Sequence, residues 1–166
     1  MLTLARGEST VLDRRPADLA DAARSAAREL AEEAQAAGVR ITLTTAPAPV
    51  KGDPALLRQV ALNLLANAIR HNHADGTVEM STGQAENTSY LEVTNTGPAL
   101  DPHEIPALFE PFHRGRERGL GLGLAIVEAI ITTHHGMITA TSRTGGGLIT
   151  RVQLPGRHRG RTAPTG

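Results

Sequence analysis

The stretch that decides the fold is Asn63-Leu-Leu-Ala-Asn67-Ala-Ile-Arg70-His71-Asn72, an apolar segment interrupted by polar residues at regular spacing. Asn63 and Asn67 are four residues apart, so on a helix they lie on one face. Arg70 and His71 extend that polar line. An Asn oxygen suits Mg²⁺, and Arg or His can reach phosphate oxygens. The same asparagines could instead cap or bridge buried backbone groups, and this segment alone leaves both interpretations open.

The composition narrows the function classes. The 166 residues are enough for one domain, and 17 basic and 17 acidic residues leave no overall positive field for nucleic acid or anionic lipid. Aromatic residues make up 2% with no Trp, so unpaired bases have little to stack on. Cysteine is absent, which excludes disulfides and thiolate metal sites. We therefore expect a soluble domain, since no apolar run approaches the roughly 20 residues that span a bilayer.

Hydrophobic periodicity and turn residues predict a sequence of helices and strands. In the first strand, Ile41 and Leu43 should face the core, and residues 83–88 should connect an antiparallel strand pair. The composition of residues 96–120 is typical of a long functional loop. The tail from Pro155 is rich in Arg, Gly and Pro, which predicts disorder. We expect helices over 16–37, 53–72 and 122–135, and strands over 39–45, 77–82, 89–95, 137–142 and 148–154.

A second motif is the glycine run Gly119, Gly121 and Gly123, which comes just before a predicted helix. Glycines let a backbone approach phosphates closely, and a helix N-terminus favours anions. A flexible loop closing onto a helix is the simpler interpretation of such a run. A Walker loop is excluded because the only lysine is Lys51, and a dinucleotide fingerprint because Leu124 stands where its third glycine belongs.

Taken together, five ordered segments resemble the catalytic and ATP-binding domain of sensor histidine kinases, within the Bergerat-fold GHKL superfamily. The resemblance covers roughly residues 10 to 156. It implies an α+β two-layer sandwich in which a mixed, mostly antiparallel sheet is covered on one face by about three helices. The segments are the asparagine box 63–72, the first glycine box 94–97, the phenylalanine box 108–114, the second glycine box 119–124 and the closing strands 145–155.

The resemblance also implies domain limits and residue roles. Residues 1–10 would be a linker or the end of the dimerisation hairpin, 11–156 the catalytic domain and 157–166 a disordered basic tail. Asn67 would bind Mg²⁺, with Asn63 as its supporting neighbour and second candidate ligand. The catalytic set would be Asn63, Asn67 and Arg114, and the ATP-binding set would be Asn67, Arg70, His71, Asn72, Asn95, Gly97, Phe109, Phe112, Gly119, Leu120, Gly121, Leu122, Gly123 and Leu124.

Three positions depart from the family pattern. Asn95 stands where Asp is usual; its carbonyl can still accept from the adenine amino group, but the charge is missing. The segment from Phe112 to Gly119 is shorter than a typical lid over the γ-phosphate. Leu148 replaces a Ser or Thr that often follows the glycines of the closing strands. These departures keep a nucleotide-binding module with weak or no kinase activity as an alternative.

The first asparagine indicates the reaction. Related ATPases and serine kinases carry Glu at the position of Asn63, where it can act as a general base. Asn cannot, which favours transfer to an imidazole over a serine kinase reaction. The implied partners are a dimerisation domain carrying the acceptor histidine and a response regulator, in the cytoplasmic part of a membrane-bound bacterial sensor. His103, before Glu104, is a poor acceptor candidate, and His134 and His135 are expected at the surface or as caps.

Overall fold

The computed structural model describes residues 13–110 and 120–157. Helices pack on one face of a five-stranded sheet, and a two-stranded sheet stands beside it. Among the described helices, none has the length and apolar character to cross a bilayer. In chain order the elements are β1 Arg15–Asp18, α1 Leu19–Glu29, α2 Ala31–Ala36, β2 Arg40–Thr45, β3 Pro49–Gly52, α3 Pro54–Arg70, β4 Thr77–Ala85, β5 Thr88–Asn95, α4 Leu120–Thr133, β6 Met137–Ser142 and β7 Leu148–Pro155.

The main sheet has the strand order β2-β4-β5-β7-β6. Only β2 and β4 run parallel, and every other neighbouring pair is antiparallel. Inner-face residues of β5 alternate with half-exposed ones, as expected for a sheet with one covered face. The predicted α+β two-layer sandwich with a mostly antiparallel sheet is confirmed.

The core lies between this sheet and the helical layer. The helix α3 contributes Leu57, Val60 and Leu65, each at most 1% exposed, and the sheet contributes Met80 and Leu91, which are fully buried. Burying a side chain of this size stabilises the fold by roughly 1.5–3 kcal/mol. This packing fixes the rotation of α3 about its axis, and therefore the direction in which its polar residues point.

The prediction of one helix over 16–37 is wrong at its start and in its middle. Pro16 lies in β1, opposite Lys51 of β3, at the edge position where a residue without an N–H is tolerated. The helix begins only after Asp18, whose carboxylate accepts from the Ala20 and Ala48 amides at 2.8 and 2.9 Å. At Leu30 the backbone turns out of the helical region, with φ −100° and ψ 7°, while Ala34 beyond it stays buried.

Two strand predictions also need correction. Ile41 packs against the core as expected, but Leu43 is 36% exposed because β2 is an edge strand with a neighbour on one side only. Residues 83–85 and Thr88 are paired strand residues rather than a loop, and the turn is only Glu86-Asn87. Gly83 signalled a turn, yet its missing side chain makes room for Tyr90, whose hydroxyl would lie 2.7 Å from a Cβ there.

The residues that follow β7 are held by the protein, where a disordered tail was predicted. Pro155 still belongs to β7, Gly156 pairs with Val50, and the Arg157 amide donates to the Pro49 carbonyl at 3.0 Å. Order therefore extends past the point where the tail was expected to begin. Residues 1–12 and 158–166, with the predicted linker and most of the basic tail, lie outside the described residues.

Candidate nucleotide-binding site

The helix α3 presents Asn63 and Asn67 half-buried on the side that faces α4. The Asn63 amide nitrogen lies 3.5 Å from the Gly123 carbonyl, and its oxygen accepts from Gln59 at 2.7 Å. The Asn67 amide makes no hydrogen bond to any described residue, although its backbone carbonyl accepts from the His71 amide at 3.0 Å. This half-buried amide is therefore available to a ligand.

The end of α3 holds two further predicted residues, and the structure separates them. The exposed Arg70 side chain lies 3.9 Å from the Glu33 carboxylate, so it leans towards α2. His71 is the C-cap, and its carbonyl lies against Gly97, where a Cβ would come within 2.6 Å. The end of α3 and the first glycine box are therefore in direct contact.

Asn72 differs from Asn67 because both of its polar atoms are used inside the protein. Its Oδ1 accepts from the His73 amide at 2.9 Å and from the Thr96 hydroxyl at 2.7 Å. Its Nδ2 donates to the Thr77 carbonyl at 3.0 Å. The sequence placed Asn72 in the ATP-binding set, whereas these contacts assign it to joining α3, β4 and the end of β5.

Asn95 ends β5 and is 5% exposed. Its Nδ2 donates to the Thr96 carbonyl at 2.8 Å, which fixes the amide so that the nitrogen points at the backbone. Its Oδ1 accepts no hydrogen bond from any described residue. Asn95 therefore offers a ligand a carbonyl acceptor, the group that an adenine amino group needs.

The loop between β6 and β7 packs directly on this segment. Gly146 and Gly147 have φ of +103° and +105°, which side chains other than glycine rarely adopt. A Cβ at Gly146 would lie 2.3 Å from the Gly97 carbonyl, and one at Gly147 would lie 1.9 Å from the Asn95 carbonyl. These glycines therefore permit close contact between two backbone segments. Leu148, opposite Asn95, is buried rather than presented to a ligand.

Residues 120–124 of the second glycine box lie at the start of α4. The helix begins at Leu120, two residues earlier than predicted, so Gly121 and Gly123 have helical backbone. A Cβ at Gly123 would meet no described residue within 4 Å outside its own helix, whereas Leu124 is 3% exposed in the core. Open space beside a helix N-terminus, close to Asn63, is a suitable place for an anion.

The remaining predicted residues fall in the phenylalanine box and the lid. Phe109 is half-buried against the core at the end of the short 3₁₀ helix Pro106–Phe109. The predicted roles of Phe112, Arg114 and Gly119 concern residues 111–119, which lie outside the described residues. Leu120 and Leu122 have helical backbone at the start of α4.

Sequence reasoning missed one connection behind the site. His134 is 5% exposed, not at the surface; its Nε2 accepts from the Asp53 amide at 3.1 Å, and its Nδ1 lies 2.8 Å from the Ile130 carbonyl. Since the Asp53 amide can only donate, Nε2 is the acceptor in this contact, which leaves Nδ1 as the donor to the Ile130 carbonyl. Asp53 caps α3, so His134 joins the end of α4 to the start of α3. The absence of a side chain at Gly52, where a Cβ would lie 2.7 Å from the ring, was the available signal.

These residues fit a magnesium nucleotide. Asn67 has an unused amide for the metal, Asn95 an unused carbonyl for the base, and the start of α4 has amides and open space for phosphates. The exposed Arg70 side chain lies 3.9 Å from the Glu33 carboxylate, and both polar atoms of Asn72 bond within the protein. The end of α3 and the segment after β5, which carry the metal-binding and base-binding candidates, are in contact.

The fold and this arrangement of residues define an ATP-binding domain of the Bergerat type. Residues 52–158 match the family described as histidine kinase-, DNA gyrase B-, and HSP90-like ATPase, and the chain belongs to that family. The resemblance inferred from the sequence is confirmed, and the relatives and structural neighbours identify the histidine kinase type of this domain.

Three comparisons give the detail. Sensor protein CutS of Streptomyces coelicolor is 42% identical over 162 residues, covering 93% of this chain and 39% of CutS. The mycobacterial sensor histidine kinase MprB superposes with a TM-score of 0.79 at 28% identity, covering 87% of this chain and 98% of that structure. Full-length ShkA, solved in complex with AMPPNP, superposes with a TM-score of 0.77 at 27% identity, covering 87% of this chain and 31% of ShkA. The chain therefore spans about two fifths of the curated relative's length.

Proposed function

We propose that this domain binds MgATP and transfers the γ-phosphate to a histidine on a separate dimerisation domain, as part of a two-component sensor kinase. The observation that carries the proposal is the contrast between Asn67 on α3, whose amide makes no hydrogen bond to any described residue, and Asn72 just after α3, whose amide oxygen and nitrogen both bond within the protein. ShkA, which shares the fold, was solved with an ATP analogue. The membership of the family supports ATP use.

Within this proposal each part of the site has one task. Asn67 would hold Mg²⁺ through its amide oxygen, with Asn63 beside it one turn earlier, and the metal would supply charge compensation to the phosphates. Asn95 accepts from the adenine amino group through Oδ1. The amides at the start of α4 bind phosphate oxygens, and Arg114 is proposed to lie over the γ-phosphate.

The proposed acceptor is an imidazole because α3 offers no general base. Asn63 occupies the position where a Glu would activate a water or a serine hydroxyl, and its oxygen already accepts from Gln59. A neutral imidazole is nucleophilic at physiological pH without such activation. The acceptor domain, a response regulator as the next partner and a location on the cytoplasmic side of a membrane-bound sensor belong to this proposal.

The test mixes the chain with a histidine-bearing dimerisation hairpin and γ-labelled ATP. We expect acid-labile label on the hairpin with the wild-type chain and none with Asn67→Ala. Nucleotide binding is followed in parallel by displacement of a fluorescent ATP analogue. Absence of binding by the wild-type chain would refute the whole proposal.

A second candidate is a nucleotide-binding module with weak or no kinase activity. Asn95 favours it, because an amide replaces the charged acceptor that the family usually has, and its nitrogen is bonded to the Thr96 carbonyl. In the same experiment this candidate predicts ATP binding by the wild-type chain without label on the hairpin. A transfer rate comparable to that of an Asn95→Asp variant would contradict it.

A further inference from the structure

We infer that Asn72 and Thr96 are positioning residues that set the spacing between the metal-binding and base-binding halves of the nucleotide site. This inference rests on the proposed function. It starts from the meeting of three chain segments: the end of α3, the start of β4 and the residues just after β5. Neither residue is proposed to touch the nucleotide.

Several hydrogen bonds join the segments at this junction. The Thr96 hydroxyl accepts from the Thr77 amide at 2.8 Å and donates to Asn72 Oδ1 at 2.7 Å. Asn72 Nδ2 donates to the Thr77 carbonyl at 3.0 Å, and the same carbonyl accepts from the Thr96 amide at 3.1 Å. Because the His73 amide must donate to Asn72 Oδ1, the orientation of the Asn72 amide is fixed as well.

The junction has no room for an alternative arrangement. Gly76 is buried, and a Cβ there would lie 1.9 Å from Asn72 Oδ1 and 2.7 Å from the Thr96 hydroxyl. On the other side, Gly97 lies so close to the His71 carbonyl that a Cβ would approach to 2.6 Å. The end of α3 and the segment after β5 are therefore in contact through both backbone and side chains.

The end of α3 leads to the metal-binding half of the proposed site, and the residues just after β5 lead to the base-binding half. Asn72 follows Asn67 by five residues, and the two are linked by the last turn of α3, whose C-cap amide donates to the Asn67 carbonyl. Thr96 follows Asn95, and its carbonyl holds the Asn95 amide at 2.8 Å. A shift at the Asn72–Thr96 contact must therefore change the separation of Asn67 from Asn95.

A nucleotide that reaches both halves depends on that separation, whereas a ligand that reaches only one half does not. Loss of the hydrogen bonds of the Thr96 hydroxyl should therefore weaken MgATP binding by about tenfold. Adenosine and magnesium tripolyphosphate each reach only one half of the site. Their dissociation constants should change by no more than about twofold.

The experiment measures the three dissociation constants for the full chain and for Thr96→Val, by displacement of a fluorescent ATP analogue. Thr96→Ser, which keeps the hydroxyl, should restore MgATP binding. Thr94→Val is the matched control, because it removes a hydroxyl two residues earlier on β5 that makes no hydrogen bond to any described residue. Gly76→Ala, which displaces Asn72 without deleting a polar group, should reproduce the Thr96→Val pattern.

The outcomes separate this inference from the proposed function. If the wild-type chain does not bind MgATP, both the positioning inference and the proposed function are wrong. If the wild type binds and Thr96→Val binds MgATP equally well at a temperature where it is folded, the junction only stabilises the fold and the positioning inference is wrong. It is also wrong if adenosine binding weakens as much as MgATP binding, because the effect then lies in the base-binding half alone.

Discussion

Asn67 and Asn72 belong to the same sequence motif, lie five residues apart, and are treated in opposite ways by the fold. Asn67 is half-buried and its amide has no hydrogen-bond partner among the described residues, whereas Asn72 uses both amide atoms in three hydrogen bonds. The difference arises because α3 ends at Arg70, so Asn72 has left the helix and points at β4 and β5. A conspicuous polar residue can therefore serve either a ligand or the fold.

The same contrast separates the two ends of α3 from its middle. At its start, the Asp53 side chain caps two amides and the Asp53 amide donates to the buried His134 ring. At its end, the Asn72 junction holds the chain. Between these two ends, Asn63 and Asn67 face α4, and the Asn63 contact with Gly123 is a long hydrogen bond of 3.5 Å. The helix is fixed at both ends, which keeps the ligand-facing part in place.

The largest effect should come from exchanging the two asparagines for alanine in turn. Asn67→Ala should lower phosphotransfer by about a thousandfold while changing the free energy of unfolding by no more than about 0.5 kcal/mol, because the amide makes no hydrogen bond to any described residue. Asn72→Ala should lower the free energy of unfolding by roughly 1–3 kcal/mol through unsatisfied partners. Transfer rates and urea unfolding of both variants measure this. A destabilised Asn67→Ala would place that amide among the structural groups.

Much of the fold follows from the sequence because its signals are local. The apolar stripe of α3, the Asp53-Pro54 start and the alternation in β5 and β7 each determine their own element. Pro16 and Gly83 were misread because their roles depend on distant partners, Lys51 across a sheet and Tyr90 across a hairpin. A proline or glycine can mark an edge strand or a close contact as well as a helix start or a turn.

The site was predictable only as a set of candidates. Motif spacing places Asn67 and Asn95, but which of the other polar residues are already bonded depends on contacts between distant segments. Arg70 is paired with Glu33 across the helical layer, and Asn72 with Thr96. Such pairings depend on packing geometry, which a single sequence does not contain.

His134→Ala should show the next largest effect, now on stability alone. The substitution leaves the Asp53 amide without its acceptor and a space beside Gly52, so the free energy of unfolding should fall by about 2–3 kcal/mol. Chemical denaturation of the full chain measures it. His103→Ala, at an exposed histidine, is the control and should stay within about 0.5 kcal/mol of the wild type. An equal loss in both variants would contradict a joining role for His134.

Asn95→Asp should have a smaller effect, and one opposed to the family pattern. A carboxylate cannot donate to the Thr96 carbonyl, so two acceptors would face each other at the 2.8 Å contact in a side chain that is 5% exposed. We expect the free energy of unfolding to fall by about 1–2 kcal/mol without nucleotide. Urea unfolding at neutral pH measures it. An unchanged stability would show that the Thr96 contact does not hold the Asn95 amide.

The smallest effect should come from Gly123→Ala. We expect this substitution to raise the stability of the protein while weakening its binding of MgATP. A Cβ there meets no described residue within 4 Å outside the helix itself, so alanine should stabilise the helix by about 0.5–1 kcal/mol. Gly136→Ala is the contrasting variant and should destabilise, because its Cβ would lie 2.4 Å from the Gln153 carbonyl. A glycine that weakens its own helix without a packing reason is best explained by close approach of a ligand. Gly123→Ala should therefore also weaken MgATP binding; a variant that is both more stable and equally tight in binding would remove this part of α4 from the site.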